Sequence, residues 1–528
     1  MPPMLGAMQP FALTVDKFID HAGKWFGERE VVWAEAGETR ARFTYAELRQ
    51  RANSLSGALA ALGFAAGQRL GTLAWNTRHH LETYYGVMGM GGVCHTLNPR
   101  LTATQLAAMV TEADDRILAV SADLLPLARE IAALCPCVEH LITLDGDATH
   151  GAIGFEALLA EHGASAEWGA FDEHSPAGLC YTSGTTGSPK GVLYTHRSNY
   201  LHTLRALQAD AVALTARDCL LLAVPMFHAN GWGLPFAAPA AGTKLVLPGR
   251  TLDGASLARL IHNEGVTLAV GVQTVWLGLA DYLDETGGTL PTLERVLIGG
   301  SSCPEALIER LESSLGARVQ TSWGMTELSP IGTVSPAGAP AVAGASGRPP
   351  IGLDLKLTDA SGTALADQRG GLGHLRVKGA TVVGQYFMTA DEAVDAEGFF
   401  DTGDLATIDE EGNLTICGRA KDLIKSGGEW INPAEIETIV GEHPSVRHVA
   451  VIARPDPKWG ERPVLVVECD AQGDSADLLQ LLQGKVADWW IPREVVQIAA
   501  MPLAATGKID KNRLRSEFAE GLLVAEPA

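Results

Sequence analysis

Segments with a helical period alternate along most of this chain with short β-branched runs, and that alternation limits the folds open to it. In FTYAELRQRANSLSGALAALGF, Thr44 and Glu47 form a candidate capping box, and Leu48, Ala52, Leu55, Leu59 and Leu62 then fall on one helical face. The runs VTLAVGV (266–272), RVLIGGS (295–301) and HLRVKG (374–379) have the length and composition of strands. Helices between such runs predict βαβ units, hence an α/β fold with doubly wound, mostly parallel sheets. From about residue 350 the texture changes. IGLDLKLTDASG, GHLRVKG and GNLTICGR read as short strands joined by Gly and Asp turns, a small antiparallel or barrel-like portion. After GRAKD (418–422) an α+β pattern begins, with PAEIETIV helical and HVAVIA and RPVLVVE as strands. Two units are expected, a large one over 1–420 and a small one over 421–528, and 528 residues are more than one compact core holds.

Bulk charge narrows the function. A net charge of −22 disfavours an electrostatic grip on nucleic acid or anionic lipid, so any cations that hold an anionic substrate must be clustered locally. The eight cysteines show no metal spacing and no secreted disulfide pattern, Cys135 and Cys137 forming only a C-P-C, which fits a reducing cytoplasm. The N-terminal MPPMLGAMQPFALT lacks the basic lead of a signal peptide. Residues 220–243 carry no Asp, Glu, Lys or Arg, but Pro225, Pro235 and Pro239, with His228 and Asn230, would break a helix in lipid. A buried strand plus loop is expected there, with no membrane span.

The chemistry centres on YTSGTTGSPKGV (181–192), a Gly/Ser/Thr loop ending on Lys190 directly after the apolar AGLC. Glycines let N–H groups converge, hydroxyls add donors and the lysine adds charge, which is how a backbone cradles phosphate. It is not a Walker A loop, because Pro189 stands where that pattern needs Gly. Taken alone, such a composition reads more often as a surface linker, by about two to one.

The wider sequence resembles the adenylate-forming superfamily of acyl-CoA synthetases, peptide-synthetase adenylation domains and firefly-type luciferases. YTSGTTGSPKGV matches its phosphate-loop motif, and TSWGMTE (321–327), DTGD (401–404), GRAKDLIKSGGEWI (418–431) and PLAATGKIDK (502–511) follow in the family's order. PMFHANGWGLPF (225–236) and KSGGEW are most similar to bacterial fatty acyl-CoA synthetases and methylthiopropionate-CoA ligases. The resemblance implies a two-step reaction. A carboxylate attacks the α-phosphate of Mg·ATP, releasing pyrophosphate, and the thiol of CoA then displaces AMP. Medium- or long-chain fatty acids are the expected substrates, with short functionalised acids such as methylthiopropionate, or arylalkanoates, as the alternative.

The same resemblance assigns roles. Thr182, Ser183, Gly184, Thr185, Thr186, Gly187 and Lys190 would wrap the phosphates. Glu327, with Thr182 or Thr185, would hold Mg²⁺, a cation of hard oxygen ligands. Gly300, Ser301, Thr321, Ser322, Trp323, Gly324 and Thr326 would surround the adenosine, Trp323 standing where the family usually has a stacking tyrosine. Asp404 would accept from the ribose hydroxyls, assisted by Arg419. Lys508 would stabilise charge building on the α-phosphate. Lys421 matches the hinge about which the small unit swings, and Lys425, Ser426, Gly427, Gly428 and Trp430 would line the CoA face. His228, Ala229, Trp232, Gly233, Gln273 and Gly299 would form the acyl site, with His228 as a gate. Relatives tend to read GVPTVW where this chain has GVQTVW, so Gln273 puts an amide on the expected pocket wall. A carrier-protein-loading or luciferase-like enzyme is the rival, weighed down by the intact KSGGEW stretch and the absence of a carrier-type segment after Lys508. A homodimer is expected by analogy.

Overall fold

The computed structural model describes residues 8–146, 151–182, 189–300, 303–426, 429–443, 445–469, 475–503, 509–523 and 526–527. Two large sheets form its body. One has eight strands, in the order Ile331–Val334, Arg318–Gly324, Arg295–Gly299, Leu268–Val272, Cys219–Leu222, Lys244–Leu247, Glu30–Glu35 and Glu38–Thr44, and is parallel except at its two edge pairs. The other has seven, in the order Ile153–Gly154, His140–Thr143, Ile117–Val120, Arg69–Leu73, Val93–Thr96, Pro176–Tyr181 and Gly191–Thr195, with only the last pair antiparallel.

Helices fill the space between the sheets. One continuous apolar cluster joins Leu220, Leu268 and Leu297 of the first sheet to Leu70, Ile117 and Ala177 of the second, through helices Asp16–Trp25, Tyr45–Ala61, Arg78–Gly89 and Leu234–Ala241. Separate clusters cover the outer faces. The capping box at Thr44 and Glu47 forms, and Leu48, Ala52, Leu55 and Leu59 face inward as their spacing requires.

The charge-free stretch is a correction. The expected strand is Cys219–Leu222, but the segment also contains the helix Leu234–Ala241. Proline is tolerated because Pro235 sits in the first turn, where its N–H would be unpaired anyway. Pro239 cannot donate to the carbonyl of Pro235, and the buried Tyr85 hydroxyl donates to that carbonyl instead at 2.9 Å.

Beyond residue 350 the expected antiparallel portion is a four-stranded meander, Leu353–Thr358, Gly373–Gly379, Phe400–Ile408 and Leu414–Arg419. From Ile424 onward the apolar residues form clusters of their own, packed on a six-stranded sheet that includes Val446–Asp456 and Gly460–Cys469. Helix Lys511–Ala519 is tied back by ion pairs of Arg515 with Asp422 at 2.8 Å and of Lys511 with Glu437 at 2.7 Å.

Candidate active site

Parallel strands expose their carboxyl ends together, and ligands of open α/β sheets collect there. In the eight-stranded sheet Val272 lies beside Gly299, and Gly299 beside Ser322. Gln273, Gly300 and Trp323 therefore follow one another across the same edge. Gly300 has φ +92°, a conformation that L side chains rarely adopt.

Trp323 is buried, its ring lying over Gly332, where a Cβ would stand only 2.5 Å from the indole. Its N–H donates to Asp404 Oδ2 at 3.1 Å. Arg419 Nε meets the other carboxylate oxygen at 3.0 Å, while Arg419 Nη1 donates to the Thr402 carbonyl at 2.9 Å. Asp404 and Arg419 are cross-strand partners, so the sheet itself sets this pair. The buried Asp404 carboxylate is thus held through both oxygens.

Next to it, the short turn Thr326–Leu328 presents Glu327, also buried. Burial is the main influence on this carboxyl and raises its pKa; the Tyr386 hydroxyl, donating to Oε1 at 2.9 Å, and the nearby Arg419 act in the opposite sense. The Lys190 ammonium sits 4.6 Å from the Tyr386 ring centroid, so Tyr386 bridges the end of the phosphate loop to Glu327. Nothing in the sequence singled out this tyrosine. The Lys190 N–H donates to Thr182 Oγ1 at 3.1 Å, and the Thr182 N–H to the Lys190 carbonyl at 2.9 Å, so the loop is closed at its base. Tyr194 OH donates to the Thr326 carbonyl at 2.8 Å, joining the two sheets at this point.

Among the described residues no group of three or more His, Cys, Asp or Glu side chains is placed to cage a metal. A single buried hard carboxylate beside the phosphate-loop lysine suits Mg²⁺, which keeps water and takes its remaining ligands from phosphates.

On the other side of Gly299 lies the expected acyl region. A Cβ at Gly299 would stand 2.7 Å from both the Trp232 ring and Ser322 Oγ, so the benzo edge of the Trp232 indole packs against this strand end. Trp232 sits in an unusual turn in which Ala229, Asn230, Gly231, Trp232 and Gly233 have φ of 45°, 52°, 59°, 56° and 71°, one turn of left-handed helix. Asn and Gly favour that conformation, and N-G in HANGW is the local signal for it. His228, half-buried, caps the turn. Gln273 is half-buried at the first position of helix Gln273–Thr286. Thr321 and Ser322 are buried, and the Thr321 N–H donates to Ser335 Oγ at 2.9 Å.

On the small unit, Trp430 is 53% exposed, so it is no core residue, and the Lys425 ammonium lies 5.4 Å from its ring centroid. Ser426 is buried in the strand Ile424–Ser426. Lys421 is exposed in the turn Ala420–Asp422, its pKa lowered by partial burial and by Arg419 and Arg515. Ser183, Gly184, Thr185, Thr186, Gly187, Ser301, Gly427, Gly428 and Lys508 lie outside the described residues.

Comparison with known proteins decides the family. Residues 19–387 match the profile of the AMP-binding enzyme family, and residues 435–508 that of the AMP-binding enzyme C-terminal domain. The chain belongs to the AMP-binding enzymes. It is 42% identical to the 3-methylmercaptopropionyl-CoA ligase of Ruegeria lacuscaerulensis, over 98% of this chain and 100% of that one. It is 40% identical to the medium-chain-fatty-acid–CoA ligase of Ectopseudomonas oleovorans, over 98% of both. Among solved structures, ATP-bound MatB of Rhodopseudomonas palustris superposes with a TM-score of 0.85 at 26% identity, covering 96% of this chain and 99% of that one. In this AMP-binding enzyme Trp323 and Glu327 follow the carboxyl edge of the larger sheet, and Asp404 and Arg419 of the four-stranded meander meet Trp323 there.

Proposed function

We propose that this AMP-binding enzyme is an ATP-dependent acyl-CoA ligase acting on aliphatic carboxylic acids. The observation that carries the reading is the fixed Asp404 carboxylate, held by Trp323 and Arg419 within one site that also contains Glu327 and Lys190. In the first step a carboxylate oxygen attacks the α-phosphorus of ATP, and the bond to the pyrophosphate oxygen breaks. In the second, the CoA sulfur attacks the acyl carbon and AMP leaves as the phosphate anion. Asp404 accepts from the ribose hydroxyls, Trp323 lies against the purine beside Gly300, and Lys190 and the 182–187 loop hold the outer phosphates. Mg²⁺ held by Glu327, with Thr182 or Thr185, neutralises phosphate charge when bound.

Lys508 supplies the cation at the reacting centre, delivered by rotation of the unit that starts at 421 about Lys421. The opposite pose presents Lys425, Ser426, Gly427, Gly428 and Trp430 to CoA. His228 gates the carboxylate against the thiol, with Ala229, Trp232, Gly233, Gln273 and Gly299 around the acyl chain. A cytoplasmic homodimer is the working form we expect. Medium- and long-chain acids are the first substrate class, in line with the Ectopseudomonas relative, and a short functionalised acid the second, in line with the Ruegeria relative.

Two assays test this. Pyrophosphate release should require an acid and ATP, and AMP release should rise on adding CoA; adenylate formation indifferent to CoA would point to a carrier-loading enzyme. Lys508→Ala should lose about 10²–10³ in adenylation rate while still converting a preformed acyl-adenylate to thioester. Equal loss in both half-reactions would remove Lys508 from the proposed role.

A further inference from the structure

The loop that follows strand Gly373–Gly379 joins two parts of the proposed site, and no step of the proposed reaction uses it. At its near end the Ser329 hydroxyl donates to the Thr381 carbonyl at 2.9 Å, and the Val383 N–H donates to the Glu327 carbonyl at 2.8 Å. At its far end the Phe387 N–H donates to the Gly191 carbonyl at 2.8 Å, one residue beyond Lys190. The approach there is close, since a Cβ on Gly191 would stand 2.9 Å from the Phe387 Cβ. The turn that carries Glu327 and the strand that leaves the phosphate loop are therefore linked through the backbone of residues 381–387.

Tyr386 stands inside this bridge, and its side chain repeats the link. It is half-buried, its ring edge-on to Phe400 with centroids 6.4 Å apart. Its hydroxyl donates to Glu327 Oε1 at 2.9 Å, while the Lys190 ammonium lies 4.6 Å from the ring centroid. Glu327 is 8% exposed, so water contributes little to orienting its carboxylate, and the phenol does. Because Phe387 is tied to Gly191, the phenol is itself held in register with the end of the phosphate loop. A ligating carboxylate gains from such an outer hydrogen bond, whose loss costs about 10- to 100-fold in metal affinity.

We propose that Tyr386 is a positioning residue that aims the Glu327 carboxylate at Mg²⁺. This rests on the reading of Glu327 as the Mg²⁺ carboxylate of the ATP site. The hydroxyl acts through Glu327 and touches no reacting atom. Its influence should fall on the phosphate end of the nucleotide and spare the adenosine end, where Trp323, Asp404 and Arg419 hold one another.

The test is calorimetry of ATP and AMP binding, without an acid, in Mg²⁺ and in EDTA. The wild-type protein should bind ATP more tightly in Mg²⁺, giving a ratio of the Kd in EDTA to the Kd in Mg²⁺ well above one, and should bind AMP equally in both. Tyr386→Phe keeps the ring beside Lys190 and Phe400 but removes the hydroxyl. Its ATP ratio should fall about tenfold or reach one, with the Kd for AMP, and for ATP in EDTA, within twofold of wild type. In a Glu327→Ala background the same substitution should change nothing further, because the group it acts through is gone. A Tyr386→Phe ratio unchanged within twofold, an equal loss for both nucleotides in both buffers, or the same loss in the Glu327→Ala background would overturn the proposal and leave Tyr386 a packing residue of the loop. If the wild-type ratio is one, or Glu327→Ala leaves it intact, the Mg²⁺ reading of Glu327 itself fails. A ratio that Glu327→Ala abolishes and Tyr386→Phe preserves sinks only the part given to the tyrosine.

Discussion

Trp323→Phe isolates one bond in the proposed nucleotide site. Phenylalanine keeps an aromatic face over Gly332 but removes the N–H that donates to Asp404 Oδ2 at 3.1 Å. The Asp404 side chain is 3% exposed, so water does not readily replace the lost donor at Oδ2, while Arg419 at 3.0 Å still holds Oδ1. A hydrogen bond to a charged group contributes about 1.5–3 kcal/mol, which corresponds to about 10- to 100-fold in affinity. The Kd for AMP, measured by calorimetry, should rise by that factor. Part of any loss will come from the smaller ring, so 3′-deoxy-AMP serves as the internal control. If Trp323 acts by aiming Asp404 at the ribose, the variant should lose much of its discrimination between AMP and the deoxy analogue. A loss of the same factor for both nucleotides would leave only stacking and refute the reasoning, and so would AMP affinity unchanged within twofold.

Two further outcomes are expected. Gly299→Ala puts a Cβ 2.7 Å from the Trp232 ring, which cannot move without disturbing the left-handed turn; overpacking of about 1–3 kcal/mol should appear as a lower denaturation midpoint, with a KM increase for the acid larger than that for ATP. Acid should unfold the protein early, because burial holds His80 down at about 4, its Nδ1 against the Trp75 carbonyl and its Nε2 against Thr72 Oγ1. Folded His80 binds fewer protons than the unfolded chain between about pH 6.5 and 4, so its contribution is intact above that window and about 3 kcal/mol is lost as pH falls through it. Denaturant midpoints from pH 7.5 to 4.5 check this, and a slope unchanged in His80→Gln would disprove it.

The sequence was most legible where one physical rule acts alone. Periodicity located the helix at Tyr45–Ala61 and its capping box, and β-branched runs located the strands at 268–272, 295–299 and 373–379. It was least legible where distant contacts override local preference. Helix Leu234–Ala241 holds two prolines, and its tolerance of Pro239 depends on a hydroxyl from Tyr85, 150 positions away in the chain. The site divides in the same way. Asp404, Arg419, Glu327 and Trp323 stand in motifs, and the fold brings them together. Tyr386 stands in none, since a tyrosine there reads as an ordinary surface residue until its partner is known.

The left-handed turn at 229–233 links these parts. Each L residue in that conformation costs about 1–2 kcal/mol, and Ala229, Asn230 and Trp232 all adopt it. Such strain persists only where the surroundings leave no other choice. Upstream, Asn76 clamps the incoming segment, donating to the carbonyls of Leu222 and Val224 at 2.9 and 2.8 Å and accepting the Met226 N–H at 2.7 Å, while Tyr84 OH donates to the Met226 carbonyl. Within the turn, Cys180 Sγ donates to Asn230 Oδ1 at 3.5 Å, tying it to the strand that leads into the phosphate loop. Downstream, Gly233 abuts His202. The turn therefore touches the strand Pro176–Tyr181, the strand end at Gly299 and the helix His196–Ala206 at once. Relaxing it to a right-handed turn would swing the Trp232 indole off Gly299 and free Gly233 from His202 together. A rearrangement of the turn would thereby be felt at the strand end Gly299 and at the helix His196–Ala206 together, through contacts already in place.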